Sequence, residues 1–190
     1  MTTSPHALPP AERQRLADLV AGRIRDVPDF PKPGILFRDI TPVLADGEAL
    51  AAALALHADA VADLAGSVDK VVGIESRGFL FGMALAVRLN AGFVVIRKPG
   101  KLPADTVEIA YELEYGTDRL QMHADAVKAG DRVLVVDDLL ATGGTASAAF
   151  GLVQQLGASV EAALFLIELE ALGGRERLGG ARVEAILRYG

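Results

Sequence analysis

Residues 133–145 read Val-Leu-Val-Val-Asp-Asp-Leu-Leu-Ala-Thr-Gly-Gly-Thr, and this stretch decides how the rest of the chain is interpreted. The apolar run 133–136 predicts a strand that is buried on both faces. Two carboxylates end it, Asp137 and Asp138, and a turn of small residues leads into a helical pattern that reaches Leu156. A glycine turn that opens a helix leaves backbone N–H groups pointing outward, so the stretch predicts an anion-binding site.

The acidic pair narrows the kind of anion. Carboxylates repel a lone phosphate, but they accept hydrogen bonds from cis-hydroxyls and can share a magnesium ion. A ribose 5-phosphate group combines a phosphate with such hydroxyls, and we expect the site to bind one. The alternative is an ordinary strand-turn-helix junction with capping aspartates. The stretch lacks the glycine-lysine spacing of a P-loop and the Gly-x-Gly-x-x-Gly spacing of a dinucleotide turn.

Composition limits the class of protein. The chain has 190 residues, of which 51% are hydrophobic, and this suits one folded domain. The formal net charge of −6 and the lack of a basic block argue against a nucleic-acid partner. There are no cysteines, which excludes disulfides and fits a reducing cytoplasm, and no apolar run reaches the ~18 residues of a membrane span. We expect residues 1–10 to be disordered and residues 11–190 to form the domain.

Apolar periodicity divides the chain into alternating helices and strands. The predicted helices cover 11–25, 48–65, 79–89 and 144–156. The predicted strands cover 70–74, 93–96, 132–136, 160–169 and 183–187, with a β-hairpin over 107–123 and a proline-rich loop or extended segment over 27–42. This alternation predicts an α/β fold with a mainly parallel sheet, in which ligands bind beyond the carboxyl ends of the strands.

Two further segments directly follow predicted strands. Residues 73–79 form a second strand-turn-helix junction, in which Arg77 would add charge-assisted donors for an anion. Residues 97–103 form a proline-glycine loop with three cations that suit a diphosphate, namely Arg97, Lys98 and Lys101. The alternatives are a tight turn with a solvated arginine and a solvated charged face.

The hairpin is long for a connection and has charged residues among aromatic ones. This is typical of a flap that closes over a reactive centre and excludes water, with Glu112 or Glu114 as a proton carrier. An exposed edge strand with solubilising charges explains the pattern equally well.

The loop over residues 30–39 is rigid and partly apolar. Phe37 either offers its ring to a flat heterocycle or anchors the loop to the core. The histidines are scattered and predict no metal site, and His57 is expected to cover a helix face.

Residues 135–145 resemble the motif with which type I phosphoribosyltransferases bind phosphoribosyl diphosphate (PRPP). Four other segments narrow the resemblance to the adenine phosphoribosyltransferases: 30–39, 75–82, 97–103 and 113–118. The resemblance implies the type I phosphoribosyltransferase fold. There, a central, mainly parallel twisted sheet is flanked by helices, the β-hairpin is a flexible flap, and the N-terminal loop forms a small hood. It also implies an enzyme of purine salvage that makes AMP and diphosphate from adenine and PRPP.

The resemblance also implies roles for individual residues. The ribose and 5-phosphate would be bound by Asp137, Asp138, Ala141, Thr142, Gly143, Gly144 and Thr145. Diphosphate would be bound by a loop with a cis peptide before Ser76 and by the cationic loop, that is, by Glu75, Ser76, Arg77, Arg97, Lys98 and Lys101. Adenine would be bound by Leu36, Phe37, Arg38 and Leu169. The implied catalytic residues are Glu114, which would exchange a proton with the base, Tyr115 and Arg77.

The implied cofactor is Mg²⁺, held mainly through PRPP and water near Asp137 and Asp138, with no metal ligand assigned directly. The implied partners are adenine, PRPP, AMP, diphosphate and a second copy of the chain in a cytoplasmic homodimer. The first ten residues and the tail 186–190 depart from the family pattern. Two other functions stay open: a phosphoribosyltransferase for a 6-oxo purine, and a non-catalytic PRPP-sensing regulator that binds nucleic acid.

Overall fold

The computed structural model describes residues 5–113 and 116–190. The helices are α1 (Pro10–Ala21), α2 (Thr41–Ala45), α3 (Gly47–Ala60), α4 (Gly78–Leu89), α5 (Gly144–Gln155) and α6 (Gly174–Arg177). The strands are β1 (Arg25–Pro28), β2 (Leu36–Asp39), β3 (Lys70–Ile74), β4 (Gly92–Ile96), β5 (Thr106–Leu113), β6 (Gly116–His123), β7 (Arg132–Leu140), β8 (Ser159–Leu169) and β9 (Val183–Tyr189). No helix within these described ranges is both long and apolar enough to cross a bilayer.

The central sheet has five strands in the order β4-β3-β7-β8-β9, and every neighbouring pair is parallel. Helices α1, α3 and α4 pack on one face, whereas α5 and the β5–β6 hairpin pack on the other. Strand β7 shows why both faces need apolar residues. Leu134 and Val136 belong to the first core and Val133 and Val135 to the second, as a period of two requires. The predicted α/β fold with a parallel sheet is confirmed.

The predicted end of the central strand is wrong. The sequence places the end at Val136, before the acidic pair, but β7 continues to Leu140. The reason is that β7 lies between two strands, and its pairing with β8 continues through Asp137 and Leu139. The acidic pair therefore stands inside the sheet rather than in a loop.

The proline-rich segment contains an antiparallel ribbon that the sequence analysis leaves as loop or extended chain. Strands β1 and β2 pair from Arg25 opposite Asp39 to Pro28 opposite Leu36. The connection includes a cis peptide between Phe30 and Pro31. This ribbon is the hood expected from the family resemblance.

The β5–β6 hairpin pairs from Thr106 opposite His123 to Leu113 opposite Gly116. Its base joins the central sheet, since Arg97 and Gln121 exchange two backbone hydrogen bonds of 2.9 and 2.8 Å. The hairpin is thus tied to the loop that carries the predicted diphosphate cations.

Helix α3 contacts both α4 and the N-terminal segment. His57 does not cover a helix face; it is fully buried, its Nδ1 lies 2.7 Å from Ala53 O, and its ring stacks on Phe81. Burial lowers the pKa of His57 to about 4. Near the N-terminus, Leu8 N–H donates to Asp59 at 2.7 Å, and α1 begins at Pro10.

Candidate active site

The residues predicted to bind a ribose 5-phosphate lie together at the carboxyl end of β7. Gly143 has a φ of +77° and turns the chain into α5, a conformation that favours glycine. The first N–H groups of a helix have no partner within it, so the start of α5 suits a phosphate. The turn surrounds a cavity of about 210 Å³ whose lining includes the whole predicted set, from Asp137 to Thr145, together with Arg77, Ala146 and Phe165.

Helix α6 braces this turn. Gly174, its first residue, lies so close that a Cβ there would be 2.2 Å from Ala141 O and 3.0 Å from Gly143 N. The helix is anchored by Arg175, whose Nη2 lies 2.5 Å from a carboxylate oxygen of buried Glu168. The sequence analysis misses this brace, because its only local sign is the Gly173-Gly174 pair.

The acidic pair is electrostatically unusual. Burial raises the pKa of Asp137 well above its usual range, and the adjacent Asp138 carboxylate raises it further. Burial also raises the pKa of Asp138, against the opposing effect of Arg77, whose Nε lies 2.8 Å from Asp138 Oδ2. Two adjacent carboxylates, one of them paired with an arginine, favour a ligand that brings hydroxyl donors or a further cation.

Four of the six predicted diphosphate residues, Glu75, Ser76, Arg77 and Lys98, line a second cavity, of about 390 Å³. The peptide bond between Glu75 and Ser76 is cis, as the family resemblance implies. Glu75 N–H donates to Ile96 O at 2.9 Å, which places the Glu75 side chain beside the loop after β4. The lining consists of Glu75, Ser76, Arg77, Lys98, Tyr111, Leu120, Asp137, Asp138 and Thr145. Arg97 and Lys101 do not line this cavity but reach it through Glu75, with which both form ion pairs.

A polar network joins this cavity to the hairpin. Lys98 forms an ion pair with Asp118 of β6, and its Nζ lies 3.2 Å from the Tyr111 hydroxyl of β5. The same hydroxyl lies 3.2 Å from Asp118 Oδ2 and 3.5 Å from Thr145 Oγ1. The Lys98 ammonium lowers the pKa of Asp118, so the carboxylate stays charged. The contacts that Asp118 and Tyr111 make with Lys98 could not be predicted from the sequence, because they depend on the pairing register of the hairpin.

The hood and the end of β8 enclose a third cavity, of about 110 Å³. All four predicted adenine residues, Leu36, Phe37, Arg38 and Leu169, line it, together with Ile35, Arg77, Asp138, Leu139 and Ile167. The rings of Phe30 and Phe37 meet edge to face, with centroids 5.1 Å apart, and the Arg77 guanidinium lies 5.7 Å from the Phe37 ring centre. Apolar walls with one aromatic ring suit a flat heterocycle.

Arg38, the fourth predicted adenine residue, also lines this cavity, but its charge is engaged on the outside. It forms an ion pair with Asp26 of β1, and its guanidinium lies 4.0 Å from the centre of the Tyr189 ring. Tyr189 ends β9 and lies in the tail that departs from the family pattern. The tail therefore supports the hood.

The three cavities share two residues, Arg77 and Asp138. The predicted catalytic residues Glu114 and Tyr115 lie outside the described residues. Within 5–113 and 116–190, no group of three or more His, Cys, Asp or Glu side chains is placed to hold a metal ion. Ligand groups that occupy these three cavities together would therefore meet at the Arg77–Asp138 ion pair.

Comparisons with known proteins agree with this arrangement. Residues 41–177 match the family model described as the phosphoribosyl transferase domain. Over 167 residues the chain is 56% identical to the adenine phosphoribosyltransferase of Rhodopirellula baltica. The aligned region covers 88% of this chain and 80% of that protein.

Solved structures give the same result. The crystal structure of the adenine phosphoribosyltransferase of Thermoanaerobacter pseudethanolicus is 50% identical, with a TM-score of 0.87 over 91% of this chain and 99% of that one. The Saccharomyces cerevisiae enzyme, complexed with adenine and an imino-altritol bisphosphate, is 39% identical, with a TM-score of 0.84 over 91% and 99% of the two chains. The chain therefore belongs to the phosphoribosyltransferase family, and within it to the adenine phosphoribosyltransferases, pentosyltransferases of purine salvage that make AMP and diphosphate from adenine and PRPP.

Proposed function

We propose that the transfer of the phosphoribosyl group to adenine takes place where the three cavities meet, at Arg77 and Asp138. The observation that carries this assignment is their convergence: a helix-start anion turn, a cavity lined by Lys98 and three carboxylates, and an apolar slot all open on this one ion pair. PRPP has a phosphate at one end, a diphosphate at the other and a ribose between them. Adenine is flat and apolar on its faces.

The phosphate turn would hold the 5-phosphate through the N–H groups of 141–145 and the hydroxyls of Thr142 and Thr145. Asp137 and Asp138 would accept hydrogen bonds from the ribose hydroxyls. As the bond from C1 to diphosphate breaks, positive charge grows on the ribose, and a buried carboxylate pair stabilises that charge more than it stabilises the ground state. The raised pKa values of Asp137 and Asp138 support this role, because they indicate that the negative charge of the pair is incompletely compensated in the protein without ligand.

The hood would position the base. Phe37 would stack on the adenine ring, Leu169 would lie on the opposite side, and backbone groups near Leu36 would meet the polar edge of the base. A 6-amino group is a donor and needs an acceptor such as a backbone carbonyl, whereas a 6-oxo group needs a donor. This difference favours adenine over hypoxanthine or guanine.

The donor chemistry fits Mg²⁺ brought by PRPP. Three carboxylates line the diphosphate cavity, Glu75, Asp137 and Asp138, but they do not form a three-ligand group, so diphosphate oxygens and water would complete the coordination. When bound, the ion would neutralise charge on the leaving diphosphate. Arg77, Arg97, Lys98 and Lys101 would add charge-assisted donors to the same group.

The hairpin would close over the reacting atoms and exclude water. Glu114 would take or relay the proton of adenine as a general base, and Tyr115 would assist it. The Tyr111 hydroxyl supports this arrangement, because it links β5 to Thr145 of the phosphate turn and to Lys98 of the cationic loop.

We also propose a homodimer in the cytoplasm. Helix α4 exposes 48% of Leu80, 57% of Met83 and 77% of Val87, at spacings of three and four residues that put them on one face. Such an apolar stripe is typical of a protein–protein contact. The absence of cysteine from the sequence is consistent with a reducing compartment.

A purine competition assay tests the function. The protein is mixed with PRPP, Mg²⁺ and adenine, hypoxanthine, guanine or xanthine, and the nucleotide formed is identified by chromatography. We expect AMP from adenine and turnover lower by orders of magnitude with 6-oxo purines, since an unpaired buried polar group is costly. The control is the folded double variant Asp137→Asn with Asp138→Asn, which should lose most of the activity. Equal turnover of a 6-oxo purine would refute adenine specificity, and PRPP binding without any nucleotide would favour the regulator.

A further inference from the structure

The four cations expected to bind diphosphate have one feature in common. Each forms an ion pair with a carboxylate of this chain: Arg77 with Asp138, Arg97 and Lys101 with Glu75, and Lys98 with Asp118. An incoming anion does not meet free cations. It has to compete with carboxylates that are already in place.

Glu75 is central to this competition, because it engages two of the four cations. Its Oε1 contacts Lys101 Nζ, and its Oε2 lies 3.3 Å from Arg97 Nε and accepts the Lys98 N–H at 2.9 Å. The side chain is only 11% exposed, and its carboxylate lines the diphosphate cavity. Burial raises the pKa of Glu75, but the hydrogen bonds from Lys101 and Lys98 N outweigh it and hold the pKa below its usual value.

We propose that Glu75 is a resident counter-ion of the diphosphate site, which holds Arg97 and Lys101 while the site is empty and yields them to diphosphate when it binds. This rests on the proposed function, since it concerns the leaving group of that reaction. It differs from the role implied by the family resemblance, in which Glu75 is one of the residues that bind diphosphate. A carboxylate in an anion site makes the site weaker for the free product.

The reason for such a residue is electrostatic. The loop over 97–101 carries three cations, which repel one another when nothing neutralises them. Glu75 neutralises part of that charge and fixes the start of the loop through the Lys98 N–H. Diphosphate then gains only the difference between its own contacts and those it displaces, so it leaves more easily after the reaction.

Asp118 and Asp138 do not have the same position. Asp118 belongs to the hairpin and forms an ion pair with one of the four cations, Lys98, and Asp138 is assigned to the ribose. Glu75 directly follows β3, and within the described part of the chain its side chain contacts the diphosphate cations and no proposed ribose or adenine residue. Its removal therefore changes the diphosphate side without removing a ribose ligand.

The test is the affinity of the full-length protein for diphosphate, measured by calorimetry with and without Mg²⁺. Glu75→Gln keeps an oxygen for the Lys98 N–H but removes the charge. We expect diphosphate to bind roughly fivefold to tenfold more tightly, and product inhibition to strengthen by the same factor. The matched control is Glu161→Gln, which removes an ion pair with Arg132 at the opposite end of the sheet, and it should leave diphosphate affinity unchanged.

A double-mutant cycle separates competition from a structural role. In a Lys101→Met background, Glu75→Gln has one fewer cation to release, so its gain in diphosphate affinity should fall to about twofold. A residue that only supports the loop would give the same change in both backgrounds. Unchanged or weaker diphosphate binding by Glu75→Gln would overturn the proposal.

The proposed function is judged separately by AMP formation in the wild-type protein. If the wild type makes AMP and Glu75→Gln does not bind diphosphate more tightly, the counter-ion proposal fails and the enzymatic assignment stands. If the wild type neither binds diphosphate nor makes AMP, the assignment itself fails.

Discussion

Gly174 allows a specific test of how the phosphate turn is held. In Gly174→Ala, the new Cβ would lie 2.2 Å from Ala141 O, whereas carbon and oxygen normally stay about 3.3 Å apart even in close contacts. Either the turn or α6 must therefore move by about 1 Å. A displacement of about 1 Å at a site that positions a reacting group can lower the rate about 100-fold. We expect a loss of that size in kcat/KM for PRPP.

The matched control is Gly173→Ala, one residue earlier. Gly173 has a φ of +65°, so alanine there is strained by about 1–2 kcal/mol, but the nearest atom to its Cβ is Glu176 Oε2 at 3.8 Å. Overpacking at Gly174 costs a comparable ~1–3 kcal/mol of folding free energy. The two variants should therefore melt at similar temperatures, and only Gly174→Ala should lose most of its activity.

The assay is steady-state kinetics with PRPP varied at saturating adenine, accompanied by thermal unfolding. If Gly174→Ala and Gly173→Ala have equal kcat/KM values, α6 does not position the turn. If Gly174→Ala does not fold, Gly143→Ala approaches the same contact from the other side, since its Cβ would lie 2.5 Å from Gly174 O.

Two other predictions concern proton transfer and pH. Glu114→Gln should lower kcat at least about tenfold with PRPP affinity by calorimetry unchanged, because a general base contributes ~10²–10⁴-fold. The control Glu108→Gln removes the ion pair with Arg119 and keeps an oxygen for the Gln121 amide, so its effect should be mild, and equal effects of the two variants would refute the assignment. Because burial lowers the pKa of His57 from 6.5 to about 4, its stability contribution is complete above pH 6.5 and is lost as the pH falls towards 4. His57→Leu should therefore reduce the loss of unfolding free energy between pH 7 and pH 5 by about 2 kcal/mol in denaturant titrations, and an unchanged pH dependence would show that burial does not lower the pKa of this ring.

The parallel sheet could be predicted because its strands lie between two helical layers. Strand β3 has the predicted bounds, Lys70–Ile74, since a run of apolar residues that is buried on both faces differs clearly from its neighbours. The end of β7 could not be predicted, because Asp137 and Asp138 read as loop residues. Their backbone pairing depends on β8, which lies more than twenty residues further along the chain.

The composition of the site could be predicted better than its internal contacts. The phosphate turn is local in sequence, and residues 137–145, which are expected to form it with the acidic pair, line one cavity. The partners of the diphosphate cations are not local: Glu75 meets Lys101 across 26 residues, and Lys98 meets Asp118 across 20. Sequence spacing carries no information on such pairs, because they depend on which strands become neighbours and in which register.

The position of the acidic pair within β7 has a consequence for hydrogen exchange. The apolar part of this strand, 133–136, is fully buried, and β7 has a hydrogen-bonded neighbour on each side. Amide hydrogens of such a strand exchange only when the whole domain unfolds, whereas a two-stranded ribbon such as β1–β2 opens locally at much lower free energy. The proposed ribose ligands directly follow the part of β7 that is paired on both sides, whereas the proposed base-binding hood is a two-stranded ribbon and should be weakly protected. Local unfolding would therefore open the proposed adenine site at a lower free energy than the proposed PRPP site.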